Sequence, residues 1–181
     1  MTAAIRVAVR WTGAVTGYTA VGDRVALNVG FHAARPRLRS LAKDGMLQRA
    51  CEVAYGEGVT ALAELAGPAA RLTRLADVCL ADLTETGDRA HIALQWDAID
   101  ADGTLFTALL ADLVLAPAGE HASALSLAGA YWPPPGLAGA GPSHVIVHCC
   151  VTAMTGSFLD AVACELDHPA LPGISLLDTS R

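Results

Sequence analysis

The sequence predicts an α+β fold: a curved antiparallel sheet gripping a long C-terminal helix, with helices inserted near the N-terminal third. Three observations predict it. Val147, Val151, Met154, Phe158, Val162 and Leu166 recur at steps of four, three, four, four and four, one apolar stripe at the helical period. Four runs between residues 75 and 131 are separated by short turns, and such spacing favours antiparallel neighbours over βαβ crossovers. A helical pattern over residues 36–66 precedes them.

In chain order, Ala4 to Trp11 alternates weakly as a first strand, and Gly13, Gly17 and Gly22-Asp23 punctuate as turns. Arg24 to His32 reads as a second strand, with Val25, Leu27, Val29 and Phe31 on one face. Pro36 is expected to open a short helix, at the position proline tolerates best. Gly45 interrupts it. Met46 to Leu65 resumes the helical pattern, and Gly56 and Gly58 allow a bend.

The four sheet runs are Leu75–Leu83, Ala90–Ile99, Leu105–Ala116 and His121–Tyr131. Turns are expected at Glu85–Asp88, at Asp100–Gly103 with its Asp-Gly hairpin signal, and at Pro117–Glu120. Ile92, Leu94 and Trp96 share one face. So do Leu109, Ala111, Leu113 and Leu115, and so do Leu125, Leu127 and Tyr131. A sheet with one apolar face needs a cover, and the long terminal helix supplies it. That helix is expected from about His144 to Leu166, with Ser143 as its N-cap.

The chain has 181 residues, which suits a single domain over residues 1–181 with a flexible tail of about ten residues. Apolar residues make up 53 %, enough for a filled core, and charged residues 17 %. The formal net charge of −6, with no basic cluster beyond Arg35, Arg37, Arg39 and Lys43, argues against nucleic acid as a partner. The terminal helix has the length of a membrane span, but two His, its hydroxyl residues and Asp160 interrupt it, so no span is expected. Five cysteines without metal-site spacing fit reduced thiols in a cytoplasm, and the Ala- and Arg-rich, Lys-poor usage suggests a bacterial source.

The segments Leu94–Ala98, Gly103–Phe106, Ala111–Glu120 and Leu125–Tyr131, with Pro133-Pro134 leading into the closing helix, carry a resemblance. They resemble the last hairpins and terminal helix of the START-like (SRPBCC) helix-grip superfamily, which includes polyketide cyclases and birch-pollen-type allergens. The resemblance covers about residues 70–167. It implies a cavity between sheet and helix that holds small apolar molecules in many members. It carries over no catalytic residue. The reading departs from the family's usual order in having two strands before the helices instead of one, and about four after them instead of six.

A cavity of that kind needs large apolar walls and a few orienting polar groups. Trp96, Leu113, Leu127, Tyr131, Met154 and Phe158 are the candidate walls, and His148 the candidate polar group. His144 and His148 lie four apart on one helix face, as zinc ligands can. The third ligand and the catalytic Glu of the protease motif are missing, so no metal and no cofactor is expected. Glu52, Tyr55 and Glu57 form a second polar cluster near two glycines. Gly136–Gly141 precedes a helix N-terminus without dinucleotide spacing and reads as a connecting loop. The expected function is binding of a small lipid-like or polyketide-like molecule between sheet and helix. Two alternatives stand beside it: a cyclase- or aromatase-type enzyme using a cavity His or Glu, and a filled-core domain whose outer patch forms a homodimer.

Overall fold

The computed structural model describes residues 17–66, 75–98, 108–133 and 142–168. Its elements run β1 (Thr19–Leu27), α1 (Phe31–Lys43), α2 (Met46–Ala66), β2 (Leu75–Leu80), β3 (Thr84–Thr86), β4 (Arg89–Ala98), β5 (Ala108–Pro117), β6 (Ser123–Trp132) and α3 (Pro142–Asp167). The six strands form one antiparallel sheet in the order β1-β6-β5-β4-β2, with β3 on the same edge of β4 as β2. This is the predicted architecture.

Residues directly opposite in an antiparallel pair project to the same face. The register therefore builds the inner face in rows. Val78, Trp96, Leu109, Tyr131 and Thr19 make the first row across five strands. Leu80, Leu94, Ala111, Gly129 and Val21 make the next, and Ile92, Leu113, Leu127 and Asp23 the third. Ala90, Leu115, Leu125 and Val25 follow. Most of these side chains are buried, and the α3 stripe from Val147 to Leu166 is fully buried against the same core. At about 25 cal/mol per Å² of apolar surface removed from water, this layer is the main stabilising term. It also accounts for the apolarity of His144–Asp167, which by length and composition alone passes for a membrane span.

The early strand and helix are shifted from the sequence expectation. β1 ends at Leu27, and Phe31 and His32 belong to α1, because Asn28–Gly30 breaks the strand. Gly30 is extended and its carbonyl accepts from the Ala33 and Ala34 amides, opening the helix. A side chain at Gly30 would meet the Glu120 carbonyl at 3.0 Å. Pro36 consequently sits inside α1 instead of at its start. α2 runs unbroken through Gly56 and Gly58. Gly45, at φ +71°, turns the chain between α1 and α2 as expected of a residue just past a helix end.

On the sheet edge, β2 stops at Leu80, and β3 occupies part of the expected turn, leaving Gly87 at φ +62° and Asp88 to reverse the chain. Among the described residues one strand precedes the helices and five follow them. α3 begins at Pro142, so Ser143 lies in its first turn and is not the N-cap. The expected strand at Ala4–Trp11, the Asp-Gly turn, the Gly136–Gly141 loop and the flexible tail lie outside the described residues.

The basic residues of α1 are used internally. Arg35 and Arg39 pair with Glu85 of β3, and Arg37 donates to the Leu166 carbonyl at 2.5 Å, satisfying a free acceptor at the end of α3. Asp167 accepts from the Asn28 backbone at 3.0 Å. The far end of α3 is thus tied to both α1 and β1.

Gly129 is where β5 and β6 approach most tightly. A Cβ there would fall 2.2 Å from the Leu110 carbonyl oxygen and 2.6 Å from the Ala111 Cβ. Gly129→Ala is expected to destabilise the fold by about 1–3 kcal/mol through this overpacking. A lowered denaturant midpoint with an unchanged slope is the expected readout.

Candidate functional site

The first row of the inner face positions the candidate site. All seven residues singled out from the sequence lie in the layer between sheet and α3. Trp96, Leu113, Leu127, Tyr131, Met154 and Phe158 are buried there, and His148 is half-buried. Trp96 and Phe158 meet edge to face, with ring centroids 5.5 Å apart. That geometry suits the positive edge of one ring against the negative face of the other.

The polar groups gather at one end of this layer. The Tyr131 hydroxyl lies 3.3 Å from His148 Nδ1, and the two rings stack at 6.1 Å. Thr19 Oγ1 lies 3.1 Å from His144 Nε2. The two imidazoles stack nearly parallel, 6.4 Å between centroids, as their four-residue spacing on α3 requires. Thr19 and Tyr131 are register partners on the inner face. The strip at His144 and His148 therefore faces the β1–β6 edge of the sheet.

Thr19 was not anticipated as part of this cluster. The sequence does carry a signal for it: Thr19 is a polar residue in the same alternating phase as Val21, Val25 and Leu27. Glu52 and Glu57, by contrast, are exposed on α2. Glu52 accepts from Gln48, and Glu57 accepts from the Ser157 hydroxyl, while Tyr55 is buried. The three do not converge.

A concavity lies between α2 and α3. It has a volume of about 270 Å³ and is lined mainly by Leu47, Ala50, Val53, Ala161 and Val162, with Arg49 and Glu165 among its polar residues. Among the described residues no group of three or more His, Cys, Asp or Glu side chains is arranged to hold a metal ion.

Burial sets the ionisation of the interior. It pushes the Tyr131 phenol above its ordinary value of 10.0, against a smaller lowering from the Thr19 hydrogen bond. It pushes the Cys51 thiol far above 9.0, outweighing the lowering by the hydrogen bond from Trp96, and raises Cys150 as well. Unfolded, these groups release protons near 9.0 and 10.0; folded, they retain them. The native state then binds more protons, so stability is complete below about pH 9 and falls as pH rises beyond it. Denaturation midpoints measured from pH 7 to pH 11 are expected to show that decline, and Cys51→Ala to make it shallower. Cys79, Cys149 and Cys164 are exposed while Cys51 and Cys150 are buried. A disulfide exchange reagent is expected to titrate three thiols in the native protein and all five after denaturation.

No protein-family model matches the chain, and no curated protein matches it. Several solved structures are similar in outline. A conserved protein from Geobacillus kaustophilus has 10 % identity and a TM-score of 0.47, over 82 % of this chain and 94 % of that one. Norcoclaurine synthase from Thalictrum flavum, solved in complex with dopamine and hydroxybenzaldehyde, has 10 % identity and a TM-score of 0.43, over 90 % and 97 %. The Zhui aromatase/cyclase of a Streptomyces species has 10 % identity and a TM-score of 0.40, over 82 % and 93 %. The element order, the sheet closed by its first strand on its last, and the long C-terminal helix buried against the inner face make this a helix-grip fold.

Proposed function

We propose that the chain binds a small hydrophobic molecule between the sheet and α3. One observation carries the reading: an apolar interior from Trp96 to Phe158 ends in a polar pair, the buried Tyr131 hydroxyl and the half-buried His148. Apolar walls supply affinity by burying ligand surface, and a few convergent polar groups fix its orientation. A lipid-like or polyketide-like molecule with a hydroxyl or carbonyl at one end fits that division. It would lie along the Trp96–Phe158 contact with its polar end toward His148. The same pair supports a second reading, in which His148 moves a proton on the bound molecule while Tyr131 donates to its oxygen.

Anilinonaphthalene sulfonate fluorescence, with displacement by fatty acids and aromatic polyketides, tests the site. His148→Ala is expected to weaken displacement by polar-ended ligands about tenfold, the worth of one directed hydrogen bond in a dry site. Phe158→Ala is expected to change affinity by altering a wall, with the unfolding midpoint followed alongside. Ala161→Trp fills the α2–α3 concavity and is expected to leave binding unchanged. Unchanged affinity in folded His148→Ala and Phe158→Ala would place the ligand elsewhere, and loss of binding in Ala161→Trp would place it between α2 and α3. Turnover of a β-keto substrate that disappears in His148→Ala is the result the enzymatic reading requires.

A further inference from the structure

The concavity between α2 and α3 is lined by two opposite charges that the fold does not use. Its floor is apolar: Leu47, Ala54 and Val162 are buried, and Ala50 is partly buried beside them. Ser157, at one end, donates its hydroxyl to Glu57. From that contact the concavity extends back along α2 to Met46 and forward along α3 to Glu165. The two helices therefore run antiparallel, and Arg49 and Glu165 stand at the same end. The Arg49 guanidinium donates to the Met46 thioether at 2.6 Å, and a thioether sulfur is a weak acceptor. Glu165 is half-buried, and among the described residues no donor reaches its carboxylate. Both side chains line one small space, yet no ion pair joins them.

We infer that this concavity is a binding site for a hydrophobic α-amino acid, with the α-carboxylate on Arg49, the α-ammonium on Glu165 and the side chain on the apolar floor. The charges select the class. A simple acid would bring its carboxylate up to Glu165, and a simple amine would bring its ammonium up to Arg49. A zwitterion satisfies both. Because Arg49 and Glu165 share one end of the concavity, the ligand's two charges must lie close together, with an apolar group beside them. An α-amino acid carries all three on one carbon. The planar guanidinium fork also matches a carboxylate in a bidentate pair.

The size agrees. A volume of about 270 Å³ equals the liquid share of roughly nine waters, which suits a branched or aromatic side chain and is too small for a long acyl chain. The other charged groups near this face are engaged or lie elsewhere: Glu57 is held by Ser157, and Arg39 of α1 by Glu85. The inference does not rest on the binding proposed between the sheet and α3, since none of the seven residues of that layer lines this concavity.

Titration of the full chain with leucine and with phenylalanine, followed by amide chemical shifts, tests the site. Saturable changes confined to Ala50–Ala54 and Ala161–Glu165 are expected. Leucinamide, which lacks the carboxylate, and 4-methylpentanoate, which lacks the ammonium, are each expected to bind about tenfold more weakly than leucine, the worth of one charge-assisted hydrogen bond. Arg49→Gln is expected to bring leucine and leucinamide level, and Glu165→Gln to bring leucine and 4-methylpentanoate level. Ala161→Trp, which fills the space, is expected to abolish binding, with the unfolding midpoint of every variant followed alongside. The absence of saturable shifts with either amino acid would overturn the proposal. So would equal binding of leucine, leucinamide and 4-methylpentanoate by the parent protein, or discrimination that survives in both folded charge variants.

Discussion

The pairing of β1 with β6 is the constraint on which the rest depends. Nine consecutive register pairs, from Thr19 opposite Tyr131 to Leu27 opposite Ser123, join the first described strand to the last. That closure costs loop entropy over most of the chain, and burial beneath α3 repays it. Once β1 is in place, its inner-facing residues complete every row that β4, β5 and β6 begin. α3 then finds a continuous apolar trough. Without β1, the stripe from Val147 to Leu166 faces an incomplete floor, and the ties of Asp167 to Asn28 and of His144 to Thr19 do not exist.

Much of this was legible because burial imposes a period. Ile92, Leu94 and Trp96 alternate since one face of β4 is dry and the other wet. The α3 stripe was legible for the same reason at a different period. Local signals failed where a distant partner decides the conformation. β3 is three exposed residues, Thr84 to Thr86, with no apolar pattern at all. It is a strand because β4 offers it a ladder and because Arg35 and Arg39 hold Glu85 from α1. α1 started earlier than Pro36 suggested because Gly30 passes close to the Glu120 carbonyl, an approach that no local reading of residues 24–36 contains.

The candidate site was half legible. Its walls follow from the same alternation that identifies the strands, which is why the seven chosen residues fall in one layer. Its polar end does not. Tyr131 and His148 were visible as residue types, but their meeting depends on how α3 enters over β6. Thr19 depends further on the long-range register that sets it opposite Tyr131. A polar side chain in the buried phase of a strand is the trace such a partnership leaves in sequence.

That trace has an energetic logic. A hydroxyl facing the core costs free energy unless it is bonded, and Thr19 and Tyr131 each meet an imidazole of α3. Those imidazoles, His144 and His148, lie four residues apart on the helix, so the two pairs act together. The cluster thus discriminates against sliding or rotation of α3 more sharply than the apolar stripe can. A stripe of valines and leucines tolerates a shift of part of a turn with modest loss, whereas the same shift separates both rings from their partners. Apolar burial sets how strongly α3 is held, and the four polar side chains set where along the sheet it is held. The polar end of the site is therefore also the element that defines its geometry.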